Sequence, residues 1–171
     1  AWVITANSWE ATSTGMTFNA GTSSIRFNSG GTSKSFLGGG LTYYNLIHDN
    51  NGVGGLNTLT ITGANTFNDI TTNVRPSTFV FPAGVTQTLA NFTLSGTAGN
   101  LVTIQSSVSG TQFTLSKSSG AVNVDYMSIK DSNATGGAVF TANNSVNGGN
   151  NTGWFGFPIL DTGNMLMMFL P

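Results

Sequence analysis

The sequence predicts an all-β protein: a right-handed parallel β-helix of about seven coils, followed by an extended C-terminal tail. Three observations predict this fold. Gly, Thr, Asn and Ser make up half of the 171 residues, the apolar stretches are short and alternating, and several of them recur at nearly constant spacing. Right-handedness is expected from the general preference of parallel crossover connections.

The composition excludes several classes of protein. Charged residues make up 6% of the chain, and the scarcity of Glu, Lys, Arg and Gln excludes an all-α fold. Hydrophobic residues at 39% are too frequent for a disordered chain. Five basic residues are too few for the positively charged surface that binds nucleic acid. The absence of cysteine excludes disulfides and thiolate metal ligands. The longest apolar run, Met165 to Leu170, is far shorter than the ~20 residues of a membrane-spanning helix.

The strands are predicted from short apolar stretches that alternate with polar residues and are separated by Gly, Asn and Ser clusters. Threonine fills many of the alternate positions, as expected of a β-branched polar residue on the outer face of a sheet. The clearest stretches are Met16–Phe18, Ile25–Phe27, Leu59–Ile61, Phe79–Phe81 and Phe113–Leu115.

The coils are predicted from an internal repeat. Residues 42–47 align with 65–70 at a spacing of 23, 66–70 align with 88–92 at 22, and 92–95 align with 113–116 at 21. These alignments stack two rows of apolar residues: Tyr44, Phe67 and Leu89, and Ile47, Ile70 and Phe92. Such a period is typical of one β-solenoid coil, with coils stacked at about 4.8 Å. A jelly roll or β-sandwich has strands at comparable intervals and stays an alternative.

The two ends of a solenoid are open sheet edges that need covering. Trp154 and Phe155 follow the turn-rich stretch 143–153 and are predicted to cap the last coil, while Trp2 and Trp9 are candidates for the same role at the first coil. The alternative is that these tryptophans are ordinary core residues.

One part of the sequence carries a family resemblance. The segment Val124–Gly137, followed by Asn150–Trp154, resembles the closing coil of β-helical modules in bacteriophage structural proteins and large bacterial surface proteins. Residues 17–21 and 63–68 resemble internal coils of the same modules, and the resemblance covers roughly residues 15–155. It implies a structural role in a virion or on a bacterial surface and association around a three-fold axis, and it transfers no active site or cofactor.

Candidate catalytic groups are few. The six carboxylates belong to Glu10, Asp49, Asp69, Asp125, Asp131 and Asp161. In the repeat alignment Asp69 shares its position with Leu46 and Asn91, so carboxylates do not stack from coil to coil at this position. Asp125 and Asp131 flank Lys130, and a catalytic pair there would suit a carbohydrate-active enzyme. Turn capping by Asp131 beside a solvated Asp125 is the favoured interpretation.

No metal, cofactor or nucleophile site is predicted. Residues 131–136 resemble a calcium loop but lack its acidic twelfth ligand, because position 142 is Ala. His48, the only histidine, is predicted to lie at a surface turn. A threonine ladder of the ice-binding kind would need Thr-x-Thr at one place in each coil, and only residues 58–62 fit.

The C-terminal stretch differs in composition from everything before it. Pro158 interrupts the strand rhythm, so the predicted division is a β-helix domain at 1–157 and an apolar docking tail at 158–171. Burial of this tail against a neighbouring subunit or a larger shell would be strongly favourable, although it could instead fold back on its own solenoid. The predicted docking residues are Ile159, Leu160, Met165, Leu166, Met167, Met168, Phe169 and Leu170.

These observations predict a non-enzymatic virion structural protein, a bacteriophage head decoration (cement) protein or a tail-fibre component. The expected partners are two further copies in a homotrimer and the major capsid protein or another virion protein. A bacterial cell-surface adhesin or extracellular filament subunit is the alternative, and a carbohydrate-active β-helix enzyme is third.

Overall fold

A computed structural model describes residues 3–11, 15, 17–28, 33–49 and 57–157, and in these ranges the chain is a parallel β-solenoid of about six turns without helices. The first sheet contains, in spatial order, β1 (Val3–Ala6), β3 (Ser24–Phe27), β5 (Thr42–His48), β7 (Thr66–Thr72), β9 (Thr86–Leu89), β11 (Phe113–Ser116) and β14 (Ser132–Thr135). The predicted parallel β-helix is therefore confirmed.

Two further sheets complete the solenoid wall. The second contains β2 (Ser8–Glu10), β4 (Lys34–Leu37), β6 (Thr58–Thr62), β8 (Ser77–Phe81), β10 (Val102–Ser106), β13 (Met127–Ile129) and β16 (Val146–Asn147). The third has three strands, β12 (Ala121–Asp125), β15 (Val139–Asn143) and β17 (Trp154–Phe155). Sequence neighbours alternate between sheets, which is the topology of a wound coil.

The solenoid has about six turns where about seven were predicted, and the lengths of the turns vary more than the repeat suggested. Thr86 pairs with Thr114, 28 residues later, whereas Phe113 pairs with Ser132, only 19 residues later. Connections between strands absorb the difference, so no single period describes the chain.

The core is one continuous apolar column inside the coil. Along β8, Phe79 and Phe81 point inward and are fully buried, while the intervening Val80 is half-buried on the outer face. Aromatic rings stack between turns, with the rings of Phe81 and Phe113 centred 4.7 Å apart. Burial of these large side chains is the main source of stability.

The predicted repeat is wrong by one residue between β5 and β7. Tyr43 pairs with Phe67 and Leu46 with Ile70, one position earlier than the alignment placed them. Both strands carry two consecutive half-buried residues at their centres, so their buried residues are three apart there instead of two. A slip of one residue exchanges core and surface positions. The residues predicted for the core row are consequently half-buried: Tyr44 and Ile47.

The last predicted alignment, of 92–95 with 113–116, is also wrong. Residues 92–95 follow β9 and form no strand, although Phe92 and Leu94 are buried. The strand that stacks on β9 is β11, through pairs such as Thr88 with Ser116.

A buried pair of amides crosses between turns. The Gln87 side-chain oxygen accepts hydrogen bonds from the backbone N–H and the side-chain Nδ2 of Asn65, at 3.3 and 3.1 Å. Asn65 Oδ1 in turn accepts from the N–H of Gly40 at 3.1 Å. A Cβ on Gly38 would lie 2.2 Å from this same oxygen, which explains why glycine is needed there. The two amides thus satisfy loop backbone groups in the interior.

The predicted cap residues lie at the far end of the third sheet. Trp154 is buried, its ring packs edge-on against Phe140 at 5.2 Å, and its Nε1 donates to Ser132 Oγ at 3.0 Å. Phe155 points outward and is 63% exposed. At the other end, Trp9 packs against Tyr43. Trp2 and the whole predicted tail, 158–171, lie outside the described residues, so the docking role stays a prediction.

Candidate functional site

Asp49 and Asp69 each join two turns of the solenoid. Asp49 pairs with Arg26 of the preceding turn at 2.5 Å. Asp69 accepts hydrogen bonds from Thr93 of the following turn, from its N–H at 3.1 Å and from its hydroxyl at 2.7 Å. Burial raises the pKa of Asp69, and the bonds from Thr93 oppose that shift. Asp69 stands level with Asn45, not with Leu46 as the sequence alignment had it.

Asp125 and Asp131 have matching structural roles. Asp125 Oδ1 accepts from Asn144 at 2.9 Å, and Asp131 Oδ1 accepts from Asn150 at 2.7 Å; each bond spans 19 residues and reaches the next turn. Asp131 adopts a positive φ of 56°, as suits a turn. The hydrogen bond from Asn150 holds the pKa of Asp131 below its usual value, despite burial, and the charge of Lys130 adds to this effect.

In segment 131–136, which resembles a calcium loop, the Asn133 side chain forms hydrogen bonds to neighbouring turns. The Asn133 amide bonds to the hydroxyls of Thr114 and Thr152 on either side, at 3.4 and 2.8 Å. Within the described ranges no group of three or more His, Asp or Glu side chains is placed to hold a metal ion.

The predicted position of His48 is wrong, because its side chain points into the core. It is fully buried, packs edge-on against Phe79 at 5.5 Å, and neither ring nitrogen has a hydrogen-bond partner among the described residues. Burial lowers the pKa of His48 to about 4, the positive charge of Lys34 adds to this, and Asp49 opposes it. Lys34 is itself buried, and burial lowers its pKa. The prediction treated His48 as a turn residue after the strand, whereas β5 extends through His48 and places its side chain on the inner face.

A groove runs along the outside of the first sheet, parallel to the solenoid axis. We call it the sheet-1 groove; its volume is about 750 Å³. Its floor is a column of hydroxyls, because Thr42 pairs with Thr66 and Thr66 with Thr88. Ser116 continues the column beyond the groove.

The ends of the sheet-1 groove differ. Segment 17–21, with Phe18 and Asn19, lies beside Tyr44 at one end, and Ser118 lies at the other. Every residue that lines the groove in the described part of the chain is uncharged. Sequence reasoning missed this site because its alignment placed Thr42 opposite Asn65; a spacing of 24 would have revealed the threonine column.

Comparison with known protein families, curated proteins and solved structures finds no match for this chain. The phage-like or surface-protein origin implied by the sequence resemblance therefore stays a prediction. No helix that could cross a membrane occurs in the part of the chain the structure describes.

Proposed function

We propose that the chain is a non-enzymatic structural protein of a virion, either a head decoration (cement) protein or a tail-fibre component. The observation that carries this proposal is the use of the carboxylates. All four aspartates in the described ranges bond within or between turns, and no described carboxylate lines the sheet-1 groove. A glycosidase of the usual kind needs two carboxylates on opposite sides of one bond.

The surface supports an assembly role. A net charge of −1 on 171 residues gives little electrostatic repulsion between copies. Closed symmetry would bury lateral surfaces that otherwise drive open-ended association, and the sequence resemblance implies a three-fold axis. The proposed assembly is a homotrimer attached to the major capsid protein or another virion protein.

A bacterial cell-surface adhesin or filament subunit is the second candidate. The uncharged sheet-1 groove favours it, because an adhesin needs a surface that recognises a ligand. The two candidates differ in where the protein is found, on virions or on bacterial cells. Immunogold labelling of native particles and of cells distinguishes them.

Deletion of residues 159–171 should strongly weaken attachment. The six consecutive apolar residues at 165–170 are the longest apolar run of the chain, and their burial on a partner would contribute several kcal/mol, at ~25 cal/mol per Å². Light scattering should give three times the chain mass for the intact protein. The truncated protein should bind the purified partner shell at least about tenfold more weakly.

The matched control keeps the full length and replaces the apolar residues at 165–170 with serine. It should weaken attachment as the deletion does, which separates apolar docking from chain length. Unchanged assembly and docking of both variants would mean that the tail serves only its own subunit.

A further inference from the structure

We propose that the sheet-1 groove binds a segment of an uncharged linear polysaccharide, laid along the solenoid axis. This role goes beyond the structural function above and does not depend on it, because the groove is the same whether the module sits on a virion or on a cell.

The shape of the groove suits a polymer. It crosses successive turns, so its length grows by about 4.8 Å with each turn and reaches ~10 Å over the three paired residues Thr42, Thr66 and Thr88. It is open along its length, and its volume of about 750 Å³ lies within the range of ligand sites. An open trough with a repeating floor fits a chain of similar units better than one compact molecule.

The charge of the groove selects for an uncharged ligand. No Asp, Glu, Lys, Arg or His lines it among the described residues. Lys117 lies outside the lining, and its ammonium group donates a hydrogen bond to the carbonyl oxygen of Ala90. A charged ligand would lose hydration on entering the groove without gaining an ion pair with any of the described lining residues.

The lining combines hydroxyls, amides and aromatic rings, as recognition of a sugar requires. Sugar rings present hydroxyls at their rims and apolar C–H groups on their faces. The hydroxyls of Thr66 and Thr88 and the amide of Asn68 can exchange hydrogen bonds with the rims. The rings of Phe18 and Tyr44 offer apolar surface at one end.

A second, smaller pocket of about 240 Å³ shares Phe18 and Tyr44 with the groove and is extended by Ile4 and Ile25. This pocket is more enclosed than the groove, and a larger share of its lining is apolar. We assign this end to the sugar unit with the largest apolar substituent. Because no carboxylate lines either space in the described residues, the groove binds without cleaving.

A matched pair of substitutions on one strand tests this proposal. Thr88 and Thr86 both lie on β9, both point outward and both are exposed, but only Thr88 lines the groove. Thr88→Arg places a long cation in the groove, and Thr86→Arg adds the same charge two residues away. Asn68→Ala is a milder groove variant that removes one amide.

The measurement is native gel electrophoresis through gels containing dextran, mannan, galactomannan or a mixed-linkage β-glucan, with alginate as an acidic probe. At least one neutral polymer should retard the intact protein, and alginate should not. Thr88→Arg should weaken that binding at least about tenfold, Asn68→Ala several-fold, and Thr86→Arg less than about twofold.

Three results would overturn the proposal: no retardation by any of the four neutral polymers, equal retardation of the Thr88→Arg and Thr86→Arg variants, or equal retardation by alginate. Any of them would remove the support that the groove gives to the adhesin candidate, whereas the virion assignment is tested separately by labelling of particles. Failure of this proposal and failure of the structural function are therefore distinguishable. Circular dichroism of each variant checks whether the solenoid is intact.

Discussion

Replacing Asn65 with alanine should destabilise the protein by about 3–4 kcal/mol, one of the largest effects of any single polar substitution in the chain. The Asn65 side chain is 1% exposed and bonds to the Thr62 and Gly63 carbonyls, the Gly40 N–H and Gln87. Alanine would leave these groups buried without their partner. Urea denaturation at pH 7 measures the loss in free energy of unfolding.

Asn68→Ala is the matched control. Asn68 lies three residues away on the outer face and makes one side-chain bond, to Asn45 at 3.1 Å. Its loss should cost less than about 1 kcal/mol. A double-mutant cycle of Asn65 and Gln87 should further show a coupling energy of about 1 kcal/mol or more. Equal effects of Asn65→Ala and Asn68→Ala would show that the buried amides are not what joins these turns.

Acidification from pH 6.5 to pH 4 should remove about 3 kcal/mol of stability through His48 alone. The unfolded chain takes up a proton near pH 6.5, whereas the folded protein, with a His48 pKa of about 4, does not do so until lower pH. Above pH 6.5 both states are neutral and the contribution is zero. As pH falls through this window the unfolded state is favoured, at about 1.4 kcal/mol per pH unit.

The control for this prediction is His48→Leu, which keeps an apolar contact with Phe79 and does not titrate. Its stability at pH 7 should equal or exceed that of the unaltered protein, because the ring nitrogens of His48 are buried without partners in the described residues. The difference between the two proteins, measured by urea denaturation at pH 7, 6, 5 and 4, should grow by about 3 kcal/mol. Parallel stability curves would contradict the buried, neutral state of His48.

The fold class could be predicted from the sequence because composition and the alternation of apolar and polar residues can be recognised within each strand separately. The stretches 25–27, 59–61 and 79–81 each form a strand with alternate residues buried. The number of solenoid turns and the register between strands could not be predicted, because both depend on connections of unequal length. Loops that protrude from a coil cost little in stability, so the spacing between strands varies freely.

Predicting the residues of the candidate site required the correct strand register, whereas predicting the fold class did not. An alignment at 23 instead of 24 residues separated Thr42 from Thr66 and hid the hydroxyl column. The burial of His48 was missed because the sequence indicates a turn there, whereas His48 is the buried last residue of β5. The turn role of Asp131 was easier to predict, because a short polar side chain beside Ser, Asn and Gly indicates a turn whatever the register.

Immunogold electron microscopy of the native source tests the central claim most directly. Antibodies raised against the solenoid, residues 17–157, would be applied to purified particles and to intact cells of the same preparation. The virion assignment predicts regular label on assembled particles, at the head surface or along the tail, and background label on cells. Label on cell surfaces with unlabelled particles would contradict it and identify a bacterial surface protein instead.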